Sequence, residues 1–170
     1  LMALMERYWG YSSFRNLKVY DVDAVQQGEK RVRELSQGQI VSDLVEQVEH
    51  CVRGESFRDV FVTAPTGAGK SLIFQLPAMY FAQRYDLVTL VITPLIGLMN
   101  DQVQMLGRRG YTAARTINSD ISPILKEQIL EEVASGACSI LYLSPESLLS
   151  RSDVQQLIGP RRIGMLVVDE

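Results

Sequence analysis

Eight residues, Ala64-Pro65-Thr66-Gly67-Ala68-Gly69-Lys70-Ser71, have the types and spacing to hold a polyphosphate. They follow an apolar β-rich run and open a helical one, the setting in which G-x-x-x-x-G-K-[ST] has physical meaning, although its first position here is Ala. Phosphates pack several negative charges into a small volume, so a loop that binds them must turn backbone N–H groups inward; Gly67 and Gly69 permit that approach. The N-terminus of the following helix adds partial positive charge. Lys70 is expected to reach the β- and γ-phosphates, and the Ser71 hydroxyl to hold Mg²⁺.

Far along the chain, Met165-Leu166-Val167-Val168-Asp169-Glu170 supplies a second half: four apolar residues suited to a strand covered on both faces, then two carboxylates where it emerges. Asp169 is expected to hold Mg²⁺ through a water and Glu170 to polarise an attacking water. Alone, an acidic strand end is commonplace. Paired with the upstream loop, it predicts a nucleotide site.

Alternating runs from residue 60 onward must position these groups. Residues 60–64, 87–93, 112–117, 139–144 and 163–169 read as strands, and residues 70–80, 95–106, 124–134 and 154–158 as helices. Helix-start signals stand at Pro94, Ser122-Pro123 and Ser152-Asp153. Strands separated by helices of about ten residues imply βαβ crossovers and an α/β fold, a mostly parallel sheet with helices on both faces. Pro77 is expected to kink or end its helix. Upstream, Val41, Leu44, Val45, Val48 and Val52 form one helical stripe, with Ser36 and Gln39 in capping-box order at its start and Gly54 past its end.

The first 35 residues read as an extension. Tyr8, Trp9, Tyr11 and Phe14 could stack bases but are expected rather to pack it onto the core or onto a further domain, and residues 18–33 read as an exposed linker or solvated helix. Arg108-Arg109 and Arg161-Arg162 read as basic pairs in solvated loops, weak candidates for contacts to a nucleic-acid backbone, and His50 as a solvated or helix-terminal histidine without ligand partners.

A length of 170 residues at 46% apolar content fits one domain with a real core. Seventeen basic against twenty acidic residues leave a net charge of −3, so a nucleic-acid partner must be met by a local patch. Cys51 and Cys138 offer neither a disulfide framework nor zinc spacing, which points to a reduced, cytoplasmic compartment. No apolar run approaches the roughly eighteen residues of a membrane helix, and both ends read as cut from a longer chain.

Taken in order, these segments resemble a superfamily 2 helicase, and within it the first RecA-like motor domain of the RecQ-like DNA helicases. Pro65 to Ser71 with Gln75-Leu76-Pro77-Ala78 is similar to that family's motif I and the helix behind it, which gives Pro77 a precedent. Thr93-Pro94-Leu95-Ile96-Gly97-Leu98-Met99-Asn100-Asp101-Gln102-Val103 resembles motif Ia, and Leu141-Tyr142-Leu143-Ser144-Pro145-Glu146-Ser147-Leu148 resembles motif Ib. Asp169-Glu170 resembles the opening of motif II, the DEAD/DEAH box. The resemblance implies a RecA-like ATP-binding motor domain over residues 36–170, ATP and Mg²⁺ as cofactors, and a second motor domain carrying an arginine finger. It also implies DNA, rather than RNA, across the tops of both domains, with contacts from Thr93, Gln102 and Ser144.

In that family an aromatic-Gly-Tyr-x-x-Phe-Arg stretch runs straight into a glutamine that reads adenine. Here Trp9-Gly10-Tyr11-Ser12-Ser13-Phe14-Arg15 matches the aromatic half, Lys18 stands where the glutamine belongs, and Gln39 follows only after an inserted segment. An amide can pair with adenine N6 and N7 where a lysine cannot, which favours Gln39; its capping role is an equal alternative. Two functions stay open at this level. One is an ATP-driven DNA motor, inactive as an isolated lobe; the other is a nucleotide-gated binding or regulatory module that does not unwind.

Overall fold

A computed structural model of the chain describes residues 1–64, 67–149 and 155–169. The chain opens with α1 (Met2–Trp9), then β1 (Asn16–Tyr20), α2 (Val22–Gln26) and β2 (Val32–Ser36), then α3 (Gln37–Val52) and α4 (Lys70–Tyr85). Alternation follows: β3 (Leu87–Ile92), α5 (Ile96–Arg108), β4 (Ala114–Ile117), α6 (Pro123–Ala134), β5 (Ile140–Leu143), α7 (Pro145–Leu149), α8 (Gln155–Ile158) and β6 (Arg162–Val168). The last four strands form one parallel sheet in the order β4-β5-β3-β6.

Helices cover both faces of this sheet, as the alternation of runs implied. Val91, Ile140 and Tyr142 look toward α3, α4, α5 and α1 in one core; Val88, Leu90, Leu141 and Leu143 look toward α6 and α8 in another. Helix α4 lies in the middle of the first core and is buried continuously from Leu72 to Met79, a helix apolar nearly all round. Pro77 sits inside that span, so of the two expected outcomes, a kink or an end, it does not end the helix. It removes one backbone donor to the turn before it, and packing on every side outweighs that loss.

Two expectations are corrected. Residues 18–33 are neither a linker nor one solvated helix throughout: β1 and β2 pair antiparallel from Asn16↔Ser36 to Tyr20↔Val32, and only the short α2 at the tip is helical. Asp21 closes that tip, accepting from the Ala24 N–H at 3.4 Å and pairing with Arg31 at 2.9 Å. Residues 60–64 form no ladder, although Val62 packs on the core while Phe61 is 92% exposed. The run has a strand's alternation but no ladder partner among the described residues. Sheet order therefore ends at β6, on which Leu166 and Val168 stay exposed.

The β3–β6 ladder slips by one residue between Val88 and Thr89, which leaves Gly164 as the extra residue of a bulge. A Cβ there would stand 2.8 Å from the Leu87 side chain, so the bulge needs glycine. Beside it, Arg161 belongs to no solvated loop. Only 6% exposed, it donates to the carbonyls of Asp86, Leu87, Val133 and Cys138 and to Ser139 Oγ, and meets the Asp86 carboxylate at 2.8 Å. One guanidinium thereby ties the end of α4 and the starts of β3 and β5 to the end of α6.

Arg161→Met strands four or more acceptors and is expected to cost about 2–4 kcal/mol, read as a lower urea midpoint at unchanged slope. Asp86→Asn, whose side chain is 74% exposed, is expected to cost under about 1 kcal/mol. Equal losses would show that the ion pair, not the carbonyl bonds, is what the arginine supplies.

Candidate functional site

The loop that the sequence singled out leads into the head of α4. Gly69 is the N-cap residue in the left-handed region (φ 77°, ψ 33°), and no described side chain caps the helix, whose N-terminal end carries the partial positive charge that suits an anion. Gly67 is also left-handed (φ 82°) and exposed. Lys70 is the first helical residue and half-buried, and Ser71 follows it. Pro65, Thr66 and Glu170 lie outside the described residues.

Helix α4 ends at Tyr85 and β3 starts at Leu87, so one residue joins them. The helix must run back along the strand, and its head lies over the strand's carboxyl end. Asp169 is at that same end: its N–H donates to Ile92 O at 2.9 Å, extending the β3–β6 ladder past Val168. Lys70 and Ser71 therefore share one end of the sheet with Asp169. Among the described residues no group of three or more His, Cys, Asp or Glu could hold a metal. A hydroxyl and one carboxylate are hard oxygen donors, the sparse set with which Mg²⁺ is held when phosphates and waters complete its shell.

A cleft of about 190 Å³ opens beside the loop, lined among others by Gln37, Gly69, Ser71, Arg15, Gln75 and Gln102. Gln75, 2% exposed, donates through Nε2 to Gln102 Oε1 at 2.7 Å and to the Tyr142 phenolic oxygen at 2.9 Å. This chain of bonds joins α4, α5 and β5. Burial raises the Tyr142 pKa and the nearby Asp169 charge adds to it, against the opposing effect of the Gln75 bond.

Gln37 is the residue that sequence reading missed. It is 4% exposed; its Oε1 accepts from the Arg15 N–H at 3.2 Å and its Nε2 donates to Ala68 O at 2.9 Å. Gln39 instead completes the capping box, its Oε1 accepting from the Ser36 N–H at 2.9 Å. That bond uses one lone pair and leaves the Nε2 donors, so capping and base reading are compatible in Gln39. It borders a separate, open groove of about 530 Å³ beside Phe14 and Ser42, not the cleft at the loop.

The remaining expected contacts are distributed unevenly. Gln102 is half-exposed, whereas Thr93 and Ser144 are 1% and 2% exposed, and neither hydroxyl reaches the surface. Ser144 Oγ accepts from the Ser147 N–H at 3.2 Å, the bond of a helix cap for α7. The aromatic cluster packs the chain's start onto the core: Tyr8 meets Tyr111 edge-on at 5.5 Å, and Arg109 lies over Trp9 at 5.3 Å. Arg109 is thus half-buried against α1 rather than loose in a loop.

A phosphate-type loop at a helix head, set at the carboxyl end of a parallel sheet with an acidic strand tip beside it, defines an α/β P-loop NTPase domain. The chain belongs to the DEAD/DEAH box helicase family, which matches residues 37–170, and its segments are those of the RecQ-like first motor domain. It is 35% identical over its whole length to the ATP-dependent DNA helicase RecQ of a Synechocystis species, covering 29% of that protein. It is 39% identical over 113 residues to the RecQ of Haemophilus influenzae, and 37% identical over 115 residues to the probable ATP-dependent DNA helicase RecS of Bacillus subtilis. Those stretches are 66% and 68% of this chain but 17% and 22% of the relatives. The chain spans less than a third of the length of each.

Gln75→Leu leaves the buried Tyr142 oxygen and the half-exposed Gln102 oxygen without their donor and is expected to lower stability by about 1–3 kcal/mol, against under about 1 kcal/mol for Gln102→Ala, whose partner keeps Tyr142. Denaturant midpoints of the two variants check this. Because the folded Tyr142 pKa is raised, its stabilising share is intact below the unfolded value near 10 and is lost as pH rises past it. Tyr142→Phe is expected to flatten that alkaline loss in a pH series of midpoints.

Proposed function

We propose that this chain is the ATP-binding and hydrolysing motor domain of an ATP-dependent DNA helicase, a lobe that works against a second RecA-like domain. The observation that carries the reading is the placement of Lys70, Ser71 and Asp169 at one end of one sheet. In it, residues 65–71 wrap the triphosphate, with Lys70 neutralising the β- and γ-oxygens. Ser71 and, through a water, Asp169 hold Mg²⁺, which when bound draws charge from the transferring phosphoryl group. Glu170 orients the attacking water. Gln39 reads the adenine edge from its open groove while it caps α3.

DNA is proposed to cross the top of this lobe at the carboxyl ends of the strands. With the Thr93 and Ser144 hydroxyls inside, contact there falls to Gln102 and to backbone N–H groups at helix starts, which grip phosphates without reading sequence. Residues 36–170 make the motor lobe and residues 1–35 its extension. The names of the three relatives above, two ATP-dependent DNA helicases and one probable one, favour this reading over a nucleotide-gated module without unwinding.

In full-length protein, single-stranded DNA is expected to accelerate ATP hydrolysis, and Lys70→Ala to lower the stimulated rate by on the order of a hundredfold. A phosphate-release assay reads both. Unchanged hydrolysis in the variant removes Lys70 from the mechanism; hydrolysis indifferent to DNA returns the balance to the gated module.

A further inference from the structure

We propose that Gln37 is a positioning residue for the phosphate loop: its side-chain amide fixes the two peptide groups on either side of Gly69, and so fixes which way their N–H groups point. The inference rests on the nucleotide-site reading and deepens it.

Gln37 Nε2 donates to Ala68 O at 2.9 Å and more weakly toward Gly69 O at 3.5 Å. Those carbonyls belong to the peptides whose N–H groups are those of Gly69 and Lys70. In a trans peptide the C=O and N–H point to opposite sides, and the described chain has no cis bond. By taking the carbonyls, Gln37 stands on the loop's outer side and turns both N–H groups inward, which is the orientation a phosphate needs. A loop whose peptides could flip would present oxygen to an anion.

Three observations make the contact specific. A Cβ on residue 69 would lie 2.7 Å from Gln37 Nε2, so the amide approaches as closely as it does only because that residue is glycine. The amide cannot turn over: its Oε1 accepts from the Arg15 N–H at 3.2 Å, and in a site 4% exposed an inverted amide would oppose oxygen to oxygen and N–H to N–H. The backbone is held as well, since the Gln37 N–H donates to Arg15 O at 2.9 Å. Arg15 in turn lays its guanidinium over Tyr11 at 5.4 Å, beside the same cleft. One glutamine thus connects the aromatic N-terminal segment to the loop.

A residue that orients the loop acts on the phosphates and is indifferent to the base. Calorimetric affinities for ATP, GTP and inorganic tripolyphosphate separate the two roles in the wild type, Gln37→Ala, Gln37→Glu and Gln39→Ala. Gln37→Ala is expected to weaken all three by the same factor, on the order of tenfold. Gln37→Glu keeps the acceptor for Arg15 and the shape but sets a carboxylate against two carbonyls, and is expected to lose at least as much. Gln39→Ala is expected to lower ATP alone, leaving GTP and tripolyphosphate unchanged. Wild-type affinity for tripolyphosphate in the Glu variant, or a Gln37→Ala loss confined to ATP, overturns the proposal. A wild type that binds none of the three overturns the nucleotide-site reading itself.

Discussion

A single residue, Asp86, separates α4 from β3, and the placement of every candidate group follows from that short link. A helix of 16 residues is about 24 Å long and a strand of 6 about 20 Å. Joined by one residue, the two must fold back on each other nearly end to end, so the head of the helix arrives at the tail of the strand. Asp86 makes the reversal in the left-handed region, at φ 52°, the one described non-glycine residue with positive φ. Arg161 holds the turn by its carbonyl and by the first carbonyl of β3, while it also holds α6 and β5. The far end of the sheet is thus locked so that the near end can present Lys70, Ser71 and Asp169 together.

Much of this was legible because the signals were local. Strand runs at residues 87–93, 112–117, 139–144 and 163–169 needed only their apolar content, and Ser36, Gln39 and Ser122 cap the helices they were expected to start. The illegible parts depend on partners distant in sequence. Arg161 looks like half of a basic surface pair until the carbonyls of Asp86, Val133 and Cys138 converge on it. Gln37 carries no local mark, since its loop partner is 31 residues away. Residues 60–64 show the reverse failure: a strand's composition is present, but a ladder also requires a neighbour with a free edge in reach.

The hairpin of residues 16–36 hid for another reason. Leu17, Val19 and Leu35 face the core in a period of two, yet Lys18, Arg33 and Glu34 dilute that alternation to the composition of a loop. The pairing of Asn16 with Ser36 brings the chain back to where it left. Arg15 and Gln37, twenty-two positions apart, exchange two hydrogen bonds as neighbours across the hairpin's base, one through the Gln37 backbone and one through its side chain.

That geometry explains how the resemblance survives its interruption. An insertion between Phe14-Arg15 and the residues leading to Gln39 ought to separate the aromatic segment from the phosphate loop, because each added residue lengthens the path between them. A paired hairpin cancels the added length, since its two strands run out and back and its ends meet. Phe14 still packs against the start of α3, where a Cβ on Gly38 would come within 2.7 Å of its ring. Arg15 still abuts the residue that grips the loop. Residues 16–36 sit to one side as a separate antiparallel pair, with Tyr20, Val25 and Val32 exposed on it. The spacing that chemistry requires is spacing in the folded protein, and here it is kept while the spacing along the chain is not.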